Sequence, residues 1–151
     1  MKVFKFGGAS VKDAAGVKNI LRVLRHTGFK DTLIVVSAMG KTTNALERVV
    51  HSFFENKEQF PQDLQKVRED HHLIIEELFE SESAVISQKV NALFDGVLTF
   101  LDTTNVEEYS LVYDQVVSVG ELVSTTIISH YMNNEGMENH WLDARECIKT
   151  D

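Results

Sequence analysis

The first 38 residues constrain the fold more than any other stretch of this sequence. Lys2–Phe6 alternates as Lys-Val-Phe-Lys-Phe and then meets Gly7-Gly8, the pattern of a strand that ends in a tight turn. Val17, Ile20, Leu21 and Leu24 follow at helical spacing, so an amphipathic helix is expected over 11–26. Residues 32–38, Thr-Leu-Ile-Val-Val-Ser-Ala, form a β-branched run of the kind buried on both faces of a parallel sheet. Strand, helix and strand in so short a span make a βαβ unit, which sets the class as α/β.

The middle of the chain is helical and acidic. Leu64, Val67, His71, Ile74, Ile75 and Leu78 mark one stripe, and Ile86, Val90, Leu93, Phe94, Val97 and Leu101 another. Helices are expected over 44–58, 62–80 and 83–102, with Pro61 suited to a first helical position and the last two helices forming an antiparallel hairpin. Residues 106–134 read as one broken or two helices, divided near Ser118-Val119-Gly120, and His140-Trp141-Leu142 as a third strand. Three strands are few for this many helices, so the chain, ending at Lys149-Thr150-Asp151, is expected to be part of a longer domain.

Charge and composition narrow the function classes. A net charge of −8 argues against a nucleic-acid partner, which needs a basic surface. There is no apolar run of about 18 residues that could span a bilayer and no secretory leader, so no membrane partner is expected. The single Cys147 has no internal disulfide partner and suits a reducing compartment, which points to a cytoplasmic enzyme or binding domain. The charge is uneven: residues 1–30 carry seven basic side chains and only Asp13 as acid. A basic first unit in an acidic protein can focus a small anion there; Lys18, Arg22 and Arg25 read as a solvated helix face, but Lys5 lies inside an apolar strand and does not fit that reading.

Three constellations carry possible chemistry. In the first, Lys5-Phe6-Gly7-Gly8-Ala9-Ser10, the glycines let the backbone approach a ligand closely, and the following helix start offers unpaired N–H groups to a phosphate. Lys5 would aim an ammonium at the same place; the plainer alternative is a tight βα turn with Ser10, paired with Asp13, as an ordinary helix cap. The second is Ser37-Ala38-Met39-Gly40-Lys41-Thr42-Thr43-Asn44. It is not a P-loop, because Val35 stands where that motif needs its first glycine. It is a hydroxyl-rich connection at the carboxyl end of a strand, where α/β sheets bind ligands, or else Thr43 or Asn44 merely caps the next helix. In the third, Ser118-Val119-Gly120-Glu121, Glu121 either completes a capping box or offers a carboxylate to a substrate ammonium. His72 and Glu76 have the i,i+4 spacing of two metal ligands but no second histidine at that spacing and no third ligand, and with His71 they read as a mostly exposed helix face, so no metal site is expected. Asp143 and Arg145 are placed for a local ion pair.

In this order and spacing the three blocks resemble the aspartate kinases of the amino-acid kinase superfamily. Lys5-Phe6-Gly7-Gly8-x-Ser10-Val11 is similar to the family's opening signature, with Ala9 where many members carry a hydroxyl. Val35-Val36-Ser37-Ala38-Met39 with Thr43-Asn44 resembles the second block, Val117-Ser118-x-Gly120-Glu121 with Ser124 the third, and Asp143-Ala144-Arg145 a minor fourth. The resemblance implies the N-terminal part of a three-layer αβα kinase domain over 1–151, mostly parallel in its sheet, with a helical insertion around 60–102. It further implies transfer of the γ-phosphoryl group of Mg-ATP to the side-chain carboxylate of L-aspartate, with no tightly bound cofactor and a homo-oligomeric full-length protein. By the same resemblance Lys5, Gly7, Gly8 and Ser10 hold the ATP phosphates, with Lys5 catalytic, while Ser37, Thr43 and Glu121 hold aspartate. The remaining ATP contacts, the arginine for the substrate α-carboxylate and the regulatory domains would lie beyond residue 151, leaving these residues alone inactive. The rival readings are a non-catalytic binding or assembly module, a kinase for another small acid, and a fusion with homoserine dehydrogenase.

Overall fold

The computed structural model describes residues 1–105 and 107–148. The expected helix start at 106 and the chain end at 149–151 lie outside the described residues. Strands β1 (Lys2–Phe6) and β2 (Thr32–Val36) pair in parallel, Lys2 opposite Thr32 and Phe6 opposite Val36. Helix α1 (Ala14–Thr27) crosses between them and buries Val17, Ile20, Leu21 and Leu24. It ends at Gly28, whose φ of +78° places it in the left-handed region that favours glycine.

The helical remainder follows the apolar stripes. Helix α2 (Thr42–Glu55) packs on α3 (Phe60–Phe79) and on α5 (Tyr109–Val117). Helix α3 and α4 (Ala84–Thr103) form the expected antiparallel hairpin: Arg68 meets Asp95 at 2.6 Å, and one turn on His72 meets Asn91 at 2.8 Å. Helix α6 (Val119–Asn134) packs on α4, α5 and β2 and is buried nearly all round, from Val119 through Ile127 to Met132. That is the profile of a central core helix. A short α7 (Ala144–Cys147) closes the described chain. Taken together, Tyr109–Asn134 is long and apolar enough to match a membrane span, contrary to the composition argument above. Half of that stretch is buried against the rest of the chain, and it is two helices, so its apolarity is accounted for by the core.

Three further expectations are corrected. His140-Trp141-Leu142 forms no strand; Trp141 donates to Thr125 Oγ1 at 2.9 Å and Asn139 bonds Ser129 on α6, so side chains hold this segment where a ladder was expected. Strand β2 is not buried on both faces, because Leu33 and Val35 are each 43% exposed beside Val3 on the same side of the sheet. Phe4, Phe6, Ile34 and Val36 face the core. His71 is not on an exposed face but only 2% exposed.

Candidate active site

Because β1 and β2 are parallel and in register, their carboxyl ends lie side by side, and both connecting loops open at the same edge of the sheet. Glycine lets those loops touch. Gly40 N donates to Gly8 O at 3.0 Å, and a Cβ on Gly8 would lie 2.8 Å from Ala38 O and 3.1 Å from Gly40 O. Gly40 itself turns the second loop with a φ of +53°. A Gly8→Ala change must push two backbone segments apart, and is expected to cost about 1–3 kcal/mol. The thermal midpoint followed by circular dichroism measures this; an unchanged midpoint would mean the loops separate freely.

The first loop differs from the expected helix entry. Gly8–Ser10 forms a 3-10 turn, Ser10 N donates to Gly7 O at 2.8 Å, and α1 starts only at Ala14. The cap is Asp13, whose Oδ1 accepts from Gly16 N at 2.8 Å, and Ser10 is not a cap at all. Burying Val11 completely inserts the extra turn between the glycines and the helix. Ser10 is left exposed at the loop surface, and a Cβ on Gly7 would meet open space. Lys5, one residue before the strand end, points to the same side as Val3, Leu33 and Val35, where its ammonium is exposed and makes no hydrogen bond or ion pair among the described residues.

Neither capping reading survives at the other two blocks. No side chain caps α2, which is preceded by Lys41, so Thr43 and Asn44 are not its caps. The Thr43 hydroxyl has no hydrogen-bond partner among the described residues, and neither has that of Ser37; both residues are half-buried. Ser118 Oγ turns back to Gln115 O at 3.4 Å instead of capping α6. Glu121 therefore forms no capping box; its Oε1 accepts a long, 3.4 Å hydrogen bond from Ala38 N in the second loop. Ser124, fully buried, donates to Ser37 O at 2.8 Å and fastens α6 to the end of β2.

Gly120 is what allows this approach. A Cβ there would lie 3.1 Å from Ala38 Cβ, 3.2 Å from Thr42 Cγ2 and 3.3 Å from Leu46 Cδ1, so the start of α6 rests directly on the start of α2. Two helix N-termini without side-chain caps thus converge beside the double-glycine turn, and their dipoles favour negative charge. The structure joins all three blocks, residues 5–10, 37–43 and 118–124, at one sheet edge. Sequence reasoning missed the contact roles of Gly8 and Gly120, and missed Thr42, buried beneath the loop with His71; consecutive small and hydroxyl residues in each block were the available signal.

A cavity of about 1060 Å³ adjoins this edge, lined by β2, α6 and residues 138–148, with Glu121 at the boundary it shares with the site. The expected Asp143–Arg145 pair lies in its wall at 2.6 Å, and the guanidinium holds the Asp143 carboxyl below its ordinary range. Lys5, Gly8, Ser37 and Thr43 do not line it. Among the described residues no group of three carboxylate, imidazole or thiol side chains is placed to hold a metal.

Comparison with known proteins gives this geometry a context. The whole chain, residues 1–151, matches the model of the amino acid kinase family. It is 31% identical to aspartokinase 1, chloroplastic, of Arabidopsis thaliana over 99% of this chain and 26% of that protein. It is 30% identical to the bifunctional aspartokinase/homoserine dehydrogenase 2 of Escherichia coli over 99% of this chain and 18% of that one. The structure superposes on E. coli aspartokinase III in complex with aspartate and ADP with a TM-score of 0.81 and 26% identity, over 96% of this chain and 31% of that one. The chain therefore spans less than a third of the length of these relatives.

Proposed function

Since this chain belongs to the amino acid kinase family, we propose that it is the N-terminal portion of an aspartate kinase catalytic domain. The reaction is transfer of the γ-phosphoryl group of Mg-ATP to the side-chain carboxylate of L-aspartate, the entry to lysine, threonine and methionine synthesis. The observation that carries the reading is the meeting of three distant blocks: Gly40 N on Gly8 O, Ala38 N on Glu121 Oε1, and Ser124 Oγ on Ser37 O. The solved aspartokinase III neighbour, held with aspartate and ADP, supports the choice of ligands.

The chemistry asks for little beyond such a site. A carboxylate of ordinary pKa is already ionised at neutral pH, so the nucleophile needs no general base. One aspartate oxygen forms a bond to the γ-phosphorus, the bond to the β-phosphate oxygen breaks, and ADP leaves with the electron pair. Two anions must be brought together, so catalysis is positioning and charge neutralisation. In this reading the Lys5 ammonium stabilises the transferring phosphoryl, and the backbone N–H groups of Gly7 and Gly8 with the exposed Ser10 hydroxyl hold phosphate oxygens. The open hydroxyls of Ser37 and Thr43 orient aspartate, and Glu121 takes its ammonium. The magnesium ion comes with the nucleotide.

Hydroxylamine trapping tests the reaction in the gene product extended to the length of its relatives. Mg-ATP and L-aspartate are expected to yield aspartyl hydroxamate. Product from glutamate or another acid alone would keep the phosphotransferase and overturn the aspartate assignment. No product from any acid would favour a binding module.

A further inference from the structure

Beneath the second loop lies a polar pair in an apolar setting. His71, from the middle of α3, is 2% exposed and Thr42, the first residue of α2, is 7% exposed. The imidazole lies against the Phe94 ring, 5.7 Å between centroids, and within hydrogen-bond reach of two groups. Nδ1 is 2.7 Å from Val67 O, and a carbonyl only accepts, so Nδ1 carries the proton. Nε2 then holds the lone pair and accepts from the Thr42 hydroxyl at 3.3 Å. Burial pushes the His71 pKa below its ordinary value, which keeps the neutral form that this pattern needs.

A pair of apolar side chains would fill the same space without two buried polar groups to satisfy. What the polar pair adds is direction. Thr42 is one of the three residues that Gly120 rests upon, its Cγ2 3.2 Å from the position a Cβ would take there, beside Ala38 and Leu46. It also begins the helix whose next residue is Thr43. Tying its Oγ1 to α3 sets the rotation of the first turn of α2 about the helix axis, and with it the aim of the Thr43 hydroxyl and the seat of Glu121.

We propose that His71 is a positioning residue for the carboxylic-acid substrate: through Thr42 it fixes the first turn of α2, so that Thr43 and Glu121 face the substrate in one geometry. This rests on the aspartate-kinase reading above. It touches neither substrate nor phosphate, and its effect falls on the acid rather than on the nucleotide.

The test uses the full-length protein with His71→Leu, His71→Gln, Thr42→Val and the double variant His71→Leu/Thr42→Val. His71→Leu is expected to raise the KM for L-aspartate about tenfold, the worth of one hydrogen bond, with the KM for ATP changed less than about twofold. Glutamine can place an acceptor near the Nε2 position, so His71→Gln is expected to restore the aspartate KM to within about threefold of wild type. The double variant removes both polar partners; it is expected to recover thermal stability while its aspartate KM stays raised, no worse than either single change. Equal shifts in both KM values, or a double variant that recovers its aspartate KM together with its stability, would reduce His71 to a packing residue and overturn the proposal. If the wild type uses another acid, the substrate assignment fails by itself, and the same comparison is read on that acid's KM. If it turns over none, calorimetry with L-aspartate decides: weaker binding by His71→Leu supports positioning, and equal binding or none overturns it.

Discussion

Replacing Lys5 with alanine in the full-length protein is expected to lower turnover about 100- to 1000-fold, the usual loss when one charge-stabilising donor is removed from a phosphoryl or acyl transfer site. The structure makes this a clean substitution. Lys5 is exposed on the open side of β1, makes no hydrogen bond or ion pair among the described residues, and contributes its backbone to a ladder that alanine preserves. The thermal midpoint should therefore stay where it is, since surface changes of this kind fall within about 0.5 kcal/mol. A KM for aspartate that moves little while kcat falls would place the loss in the transition state. Turnover within about threefold of wild type would remove Lys5 from the chemistry, and the double-glycine turn would stand as a structural turn only.

The second large effect is expected at Glu121. Glu121→Gln keeps an oxygen that can accept from Ala38 N and changes only the charge offered to the substrate. A hydrogen bond to a charged group is worth about 1.5–3 kcal/mol, so the aspartate KM should rise about 10- to 100-fold, with the ATP KM nearly constant. Glu121→Ala loses the Ala38 contact as well and should show the same rise together with a loosened second loop. Steady-state kinetics with each substrate varied in turn separates these results. An unchanged aspartate KM in Glu121→Gln would assign the carboxylate to holding the loop alone.

Much of the fold was legible because it depends on local pattern. The alternation in Lys2–Phe6, the β-branched run that begins at Thr32 and the stripes of α3 and α4 each encode one element, and the structure places each element within a few residues of its expected bounds. The helix starts were less legible. Serine and threonine at Ser10, Thr43 and Ser118 satisfy capping rules by spacing, yet none caps its helix. Asp13 is the better acceptor at α1, the Ser118 hydroxyl turns back to Gln115 O of α5, and those of Ser10 and Thr43 make no hydrogen bond among the described residues. His71 was misjudged for the same kind of reason. Its position on the apolar stripe was visible, but its partner Thr42 lies 29 residues away on another helix. His140-Trp141-Leu142 has strand-like composition, but pairing needs a neighbour, and Thr125 and Ser129 of α6 hold the segment instead.

What the sequence determined by itself was the βαβ class, the stripes that become the helical core, and three blocks of glycine, hydroxyl and charged residues. Those are matters of period and residue type, which act over a few residues at a time. Only the tertiary structure decided that the three blocks share one sheet edge, that Gly8 and Gly120 are the contacts bringing them together, and that Glu121 faces Ala38 rather than its own helix start. The reason is steric: the approach of two backbones within 3 Å is a property of the packed arrangement, and no local spacing records which segments must meet.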